Sequence, residues 1–321
     1  MSVRVSNEAG DDGFARLIVE TASMRCEFIP QLGGKLAQLS DRRTQRRWLW
    51  RHPRMPYQVS ASTANYVAEA DTGGWDECFP TVGACRYPGA EWSDVVLPDH
   101  GDLWCQTPHT EVHHDADAVT VTTTWQGLVL PYTFERAMHI QDETLTVRYR
   151  VHNHGQAPLH WIWCAHPLIA IEPGMRMVLP AETTFWRLSE HGLSAEPAEA
   201  IAVTPTQTWD MRQLPARDAG FSVKLYSVQL HAGDVRLEAA DGALVWSWQT
   251  AQIPQLAVFL NAGGWSNDEG PPHFNMGLEP AIGVYDALSD AYHHTQSYAT
   301  LAPGQHRCWQ LAVQLVADNP Q

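Results

Sequence analysis

Basic residues are scarce in this chain: Lys and Arg total 21 against 36 Asp and Glu, for a formal charge of -15. Such a protein repels a phosphate backbone or an anionic membrane surface, which argues against nucleic acid and membrane as partners. Long apolar runs are missing too. The most apolar stretch, LHWIWCAHPLIAI (159–171), is too short to span a bilayer and contains two histidines. The opening MSVRVSNEAGDDG lacks the apolar segment of a secretory leader, so the expectation is a cytoplasmic protein. The six cysteines are scattered without a CxxC pair, which points to reduced, mostly buried thiols, and nothing near them equips a thiol nucleophile. Helical periodicity is nearly absent; YDALSDAY (285–292) supports one or two turns and little else does.

What remains is alternation. TLTVRYRV (144–151) puts Leu145, Val147, Tyr149 and Val151 on one face, and WQLAVQLV (309–316) does the same with Trp309, Leu311, Val313 and Leu315. DVRLEAADGALVWSWQT (234–250) reads as a hairpin turning at Asp241-Gly242, a pair suited to a type I′ turn. LIVE, MRCEFI, AVTVTTTW, YTFERAMHI, FSVKLYSVQL and QLAVFL are further strand candidates. With 44% apolar residues and only 18% charged, the chain can bury a substantial core. Prolines and glycines are spread as turn punctuation with no linker and no repeat, so an all-β fold in one domain over 1–321 is expected. Two stretches, 67–102 and 261–277, read as long loops, and such loops in a compact domain are usually functional.

Four segments gather polar and aromatic groups: GGWDECFP (73–80), DHGDLW (99–104), WCAHPL (163–168) and NMGLEP (275–280). Taken one at a time, a His at a strand end is most often a hydrogen-bonded structural residue, and a Glu before Pro a solvated strand terminus. The histidine pairs in HNH (152–154) and HH (113–114, 293–294) lack a third ligand at a recognisable spacing, so no metal is expected.

The order of the segments adds information. A His-Gly pair, then a His on an apolar β run, then a Glu on a late β segment resemble the aldose 1-epimerase or galactose mutarotase-like superfamily, over most of the chain from PQLGGKLAQLSD (30–41, read as a strand pair) to LAPGQHRCWQLAVQL (301–315). The resemblance implies a large antiparallel β-sandwich and a mutarotase that needs no cofactor. It implies that His100 hydrogen-bonds the sugar near its ring oxygen, that His166 is the general acid and that Glu279 is the general base. The better-known branch carries an Asn-Arg pair ahead of the His-Gly, where this chain has GGWDECFP; Trp75, Asp76 and Glu77 become the expected sugar contacts there. The family's acidic contact between the second His and the Glu has two candidates, Asp210 and Asp268.

The chemistry asks for these residue types on its own account. Exchanging α and β anomers requires a proton to leave the anomeric hydroxyl while another reaches the ring oxygen, so one base and one acid on opposite sides of the sugar suffice. Of 14 tryptophans, Trp75, Trp104, Trp163 and Trp265 lie nearest the motifs; core packing accounts for most tryptophans, and one or two would stack on the sugar, with Trp104 and Trp265 as candidates. A phosphorylated or sulfonated sugar such as sulfoquinovose would need a cation, for which Arg86, Arg176 and Lys35 are candidates. Two further readings stay open, a non-catalytic sugar-binding protein on the same fold and a glycoside hydrolase or lyase using Asp76 and Glu77. A homodimer is compatible with the sequence.

Overall fold

The computed structural model describes residues 3–191, 200–202 and 212–317. Two large antiparallel sheets face each other. The eight-stranded sheet is ordered Arg176–Val178, Gly233–Ala239, Gly242–Trp248, His306–Ala317, Thr144–Asn153, Tyr132–Gln141, Ala118–Gln126, His109–His114. Its strands carry the alternation seen in the sequence. In Tyr132–Gln141 every second residue is buried, and Leu145, Val147, Tyr149 and Val151 all point into the core, as do Trp309, Leu311, Val313 and Leu315. One face meets water and the other meets the second sheet.

The second sheet has eleven strands, ordered Arg4–Ala9, Ala15–Glu20, Met24–Ile29, Lys35–Asp41, Gly74–Cys78, Trp163–Ala170, Phe274–Ile282, Gln255–Ala262, Phe221–Gln229, Thr184–His191, Ala200–Ala202. Its central members behave differently: every residue of Gly74–Cys78 and of Phe274–Ile282 is buried. One face of these strands packs on the other sheet, and the other is roofed by loops. Between the sheets lies an aromatic layer in which Trp75 meets Trp246 at 5.0 Å and Trp163 meets Trp309 at 5.1 Å. Burying so many large rings supplies most of the drive for the two sheets to stay together.

Several expectations are corrected. The 67–102 stretch is not one loop, because it contains the central strand Gly74–Cys78; likewise 261–277 runs into Phe274–Ile282. Strands covered on both faces lose the polar-apolar alternation by which a strand is recognised. PQLGGKLAQLSD holds one strand, Lys35–Asp41, whose partner is Met24–Ile29. The hairpin pairs Ala239 with Gly242, so its turn is Ala240-Asp241, one residue earlier than expected, and neither residue has a positive φ. YDALSDAY forms a helical turn at Leu288–Asp290 that widens through Ala291–Thr295.

Candidate functional site

Strand parity builds the site. In Gly74–Cys78, Trp75 and Glu77 point into the core between the sheets, which leaves Asp76 and Cys78 on the outer, loop-roofed face. Across the ladder Asp76 pairs with His166. On the other side of the same strand Cys164 pairs with Ala281 and Leu168 with Gly277, so His166, midway between them, stands opposite Glu279. Asp76, His166 and Glu279 therefore form one row across three neighbouring strands, with adjacent members about 5 Å apart at Cα. The ladder pairs between Cys164 and Leu168 are missing, and Pro167, which has no N–H to donate, lies in that gap.

Above this row opens a cavity of about 340 Å³. His166, Glu279 and Lys224 line its floor; His100, Asp99, Asp71 and Val67 line one wall, and Trp265, Phe259 and Asp286 another. Glu279 is completely buried, with Oε2 bound by Lys224 Nζ at 2.5 Å and Oε1 without a partner. Gly277 makes room for that carboxylate, since a Cβ there would lie 2.3 Å from Glu279 Oε1. His166 is also buried, and its Nδ1 has no hydrogen-bond partner. Burial, then the charges of His100, Lys224 and Lys35, hold this imidazole well below its ordinary range, which favours its neutral form.

The PDHGDLW segment delivers the third group. His100 sits in the left-handed region at φ 57°, and Gly101 follows at φ 72° against Phe79, where a Cβ would lie 1.9 Å from the Phe79 carbonyl oxygen. A side chain at position 101 is thus excluded twice, by conformation and by space. The two acids of the segment do different work. Asp102 accepts hydrogen bonds from Leu128 N at 2.8 Å and from the Tyr132 hydroxyl, anchoring the loop. Asp99 accepts from Tyr66 N at 2.9 Å and lies 3.0 Å from His100 Nδ1, which fixes the ring. Burial alone would raise the Asp99 carboxyl; His100 and the backbone N–H groups of Tyr66 and Val67 bring it below its usual value instead. His100 stacks on Tyr66 at 4.2 Å and meets His166 edge-on at 5.1 Å.

The expected residues thus separate. His100, His166, Glu279 and Trp265 share the cavity. Asp76 lies behind Tyr66, whose hydroxyl donates to it at 2.8 Å, and is paired with Lys35; with Trp104 it lines a smaller void of about 20 Å³. Trp75 and Glu77 do not line either space: Trp75 is core, and Glu77 is held there by Trp75 Nε1 (3.0 Å), Trp163 Nε1 (2.9 Å), the Tyr149 hydroxyl (3.1 Å) and Arg136 (3.3 Å). Their expected sugar contacts are corrected by parity, since neighbours on a strand face opposite ways. Arg86 is exposed on the Cys85–Arg86 strand, away from the cavity lining, and Arg176 is exposed beside Glu238. Asp268 is held by Arg54 at 2.6 Å, and Asp210 lies outside the described residues.

The residue that touches Glu279 from the strand between the second His and the Glu is a base, Lys224. Sequence reading missed it because Ser222, Lys224 and Tyr226 alternate with Val223 and Leu225 as if on a solvated face; it also missed Asp71 and Asp286, which line the cavity, and Tyr66, which stacks on His100.

Two clusters hold enough donors for a metal ion among the described residues. Cys78 Sγ and a ring nitrogen of each of His100 and His166 lie within 4.8 Å of one another. Burial pushes the Cys78 thiol well up, which keeps it protonated and apolar under the cavity. In the second cluster, His52 Nδ1 accepts from Arg54 N (3.1 Å) and Met55 N (2.8 Å), so Nε2 carries the proton and donates to Asn267 Oδ1 at 2.9 Å. His273 Nε2 reaches the same Asn267 oxygen at 2.9 Å, while Asn267 Nδ2 donates to Val67 O at 2.7 Å. This cluster is a clamp joining the Trp265 loop to the Val67 wall.

The architecture is that of the galactose mutarotase-like proteins. The chain superposes with a TM-score of 0.71 on a galactose mutarotase-like protein from Clostridium acetobutylicum, at 13% identity and 99% of each chain. It superposes at 0.64 on a candidate aldose 1-epimerase from Escherichia coli K12, at 18% identity, covering 98% of this chain and 99% of that one. It also matches 48% of a longer TPR-domain containing protein from Parabacteroides distasonis, at 14% identity, 96% of this chain and a TM-score of 0.67. No protein-family model matches the sequence, and no curated protein does. At these identities the likeness establishes the fold.

Proposed function

We propose that the protein is a cofactor-independent aldose 1-epimerase for a free, uncharged reducing sugar. The observation that carries this reading is the pairing of two incomplete buried groups in one cavity: Glu279 Oε1 and His166 Nδ1, on facing strand positions, each without a partner. A fold leaves such atoms unsatisfied at a cost of about 1–3 kcal/mol each, which is tolerated where a ligand completes them.

The side-by-side placement suits the chemistry better than opposite walls. O1 and the ring oxygen are both bonded to C1, so the group that takes the O1 proton and the group that serves the ring oxygen must be neighbours. Glu279 Oε1 accepts the O1 proton, the imidazolium form of His166 protonates the ring oxygen, and the C1 to ring-oxygen bond breaks to give the open-chain aldehyde. Rotation about C1–C2 and the reverse steps give the other anomer. His100, held by Asp99 and Tyr66, is placed to hydrogen-bond the ring, and Trp265 offers an aromatic wall. Because burial keeps His166 neutral, its donor form grows as pH falls, and exchange is expected to quicken on the acid side of neutrality.

Charge favours an uncharged substrate. Among the described residues, Asp71, Asp99, Glu279 and Asp286 line the cavity against one lysine, Lys224, already bound to Glu279. Lys35 is committed to Asp76 and the Gly73 carbonyl. Anomer-exchange NMR on neutral, phosphorylated and sulfonated sugars tests the reading. Catalysed exchange of a neutral sugar supports it; exchange confined to anionic sugars overturns the substrate class, and binding without exchange of any sugar leaves a sugar-binding protein.

A further inference from the structure

Among the described residues, Lys224 is the lysine of the cavity floor, and the proposed reaction does not use it. Its strand, Phe221–Gln229, packs Val223 and Leu225 in the main core; Ser222 and Lys224 line the cavity, and Tyr226 reaches its Asp286 wall through its hydroxyl. Lys224 is 7% exposed. Its Nζ lies 2.5 Å from Glu279 Oε2 and 3.9 Å from Asp286 Oδ1, and the Tyr226 hydroxyl holds that Asp286 oxygen at 2.9 Å. An ammonium this buried is tolerated only where carboxylates offset its lost hydration. Asp286 and Tyr226 therefore fix Lys224, and Lys224 fixes one oxygen of Glu279.

We propose that Lys224 is a positioning residue for proton transfer in this cavity: it grips Glu279 by Oε2, so that only Oε1 faces the sugar, and it places a fixed positive charge on the floor that His166 shares. The inference rests on the epimerase reading for its catalytic consequence, and on the shared cavity lining together with the Coulomb effect of the ammonium on the ring for the charge effect. No proton passes through Lys224, because Glu279 and Asp286 hold it above its ordinary value against the effect of burial. The groups facing it are Glu279 and Asp286, Tyr226 on its own strand, and Cys164, Cys78 and His166 on the two strands beyond. Of these only His166 feels the ammonium as a like charge when it takes up a proton, so removing that charge must raise its midpoint from its lowered position.

The test uses Lys224→Met and Lys224→Arg in the full chain, with two readouts. The first is the 15N titration of the His166 ring; the second is the pH profile of anomer exchange. Lys224→Met is expected to raise the His166 midpoint by at least half a pH unit and to lower kcat at least tenfold with KM within about threefold. Lys224→Arg is expected to restore the midpoint and most of kcat. If Lys224→Met does not fold, Lys224→Gln takes its place with the same expectations. An unchanged His166 midpoint together with kcat within twofold of wild type overturns the proposal. If the wild-type protein exchanges no sugar, the epimerase reading fails by itself, and the His166 titration still decides whether Lys224 sets the charge of this ring.

Discussion

Two glutamates, Glu77 and Glu279, are buried to nearly the same degree on strands of the same sheet, yet their surroundings differ in kind. Glu77 receives hydrogen bonds from two indoles, a tyrosine and an arginine, and both its oxygens are occupied. Glu279 has one lysine on one oxygen and nothing on the other. The first faces the packed interior between two sheets, the second a cavity. Burial of a carboxylate therefore says little about its role; the unfilled lone pairs say more. A carboxylate with both oxygens satisfied helps to rigidify the core, whereas an orphaned oxygen beside open space is where a substrate proton can go.

This contrast can be broken most sharply at Glu77. Glu77→Ala leaves Arg136 as an unpaired charge in the core, and the expected loss is about 3–5 kcal/mol of folding stability, measured by denaturant unfolding. Exchange per folded molecule should stay near wild type. Glu279→Gln is expected to act chiefly on turnover, lowering anomer exchange per folded molecule by about 10²–10⁴-fold; the amide still meets Lys224 and Asp286 offsets part of its charge, so the stability loss should be smaller than that of Glu77→Ala. Gly277→Ala probes the same carboxylate without touching it: the added methyl would crowd Glu279 Oε1 at 2.3 Å. A displacement near 1 Å costs about 100-fold in rate, so kcat should fall by that order while the fold survives. The smallest effect is the pH slope of stability. Burial raises the Glu77 carboxyl from 4.5 to about 7, against the pull of Arg136 and its hydrogen-bond donors. The native state then holds a proton that the unfolded chain has released, so stability should fall as pH rises from 4.5 to about 7. The slope is at most about 1.4 kcal/mol per pH unit, and Glu77→Gln should flatten it.

The same contrast explains what could be read from the sequence. Strands covered on one face, such as Tyr132–Gln141, announce themselves by alternation, and the all-β fold follows from them. His100, His166 and Glu279 were visible because their order along the chain resembles a known superfamily. The strands that carry the site were harder to see, because Gly74–Cys78 and Phe274–Ile282 are buried on both faces and mix acids with aromatics. Had GGWDECFP been recognised as a strand, parity alone would have shown that Asp76 and Glu77 face opposite ways. Lys224 was hidden by the converse ambiguity: a lysine alternating with apolar residues has the same pattern whether its face meets water or a roofed cavity. Only the tertiary fold, which brings Asp286 and Glu279 against it, separates the two.

The most direct measurement is anomer-exchange NMR on one neutral reducing sugar with three proteins at equal folded concentration: wild type, Glu77→Gln and Glu279→Gln. The account predicts catalysed exchange for the first two and its loss, by about 100-fold or more, for the third. Exchange retained in Glu279→Gln, or lost in Glu77→Gln while that protein remains folded, would contradict the assignment of the catalytic base.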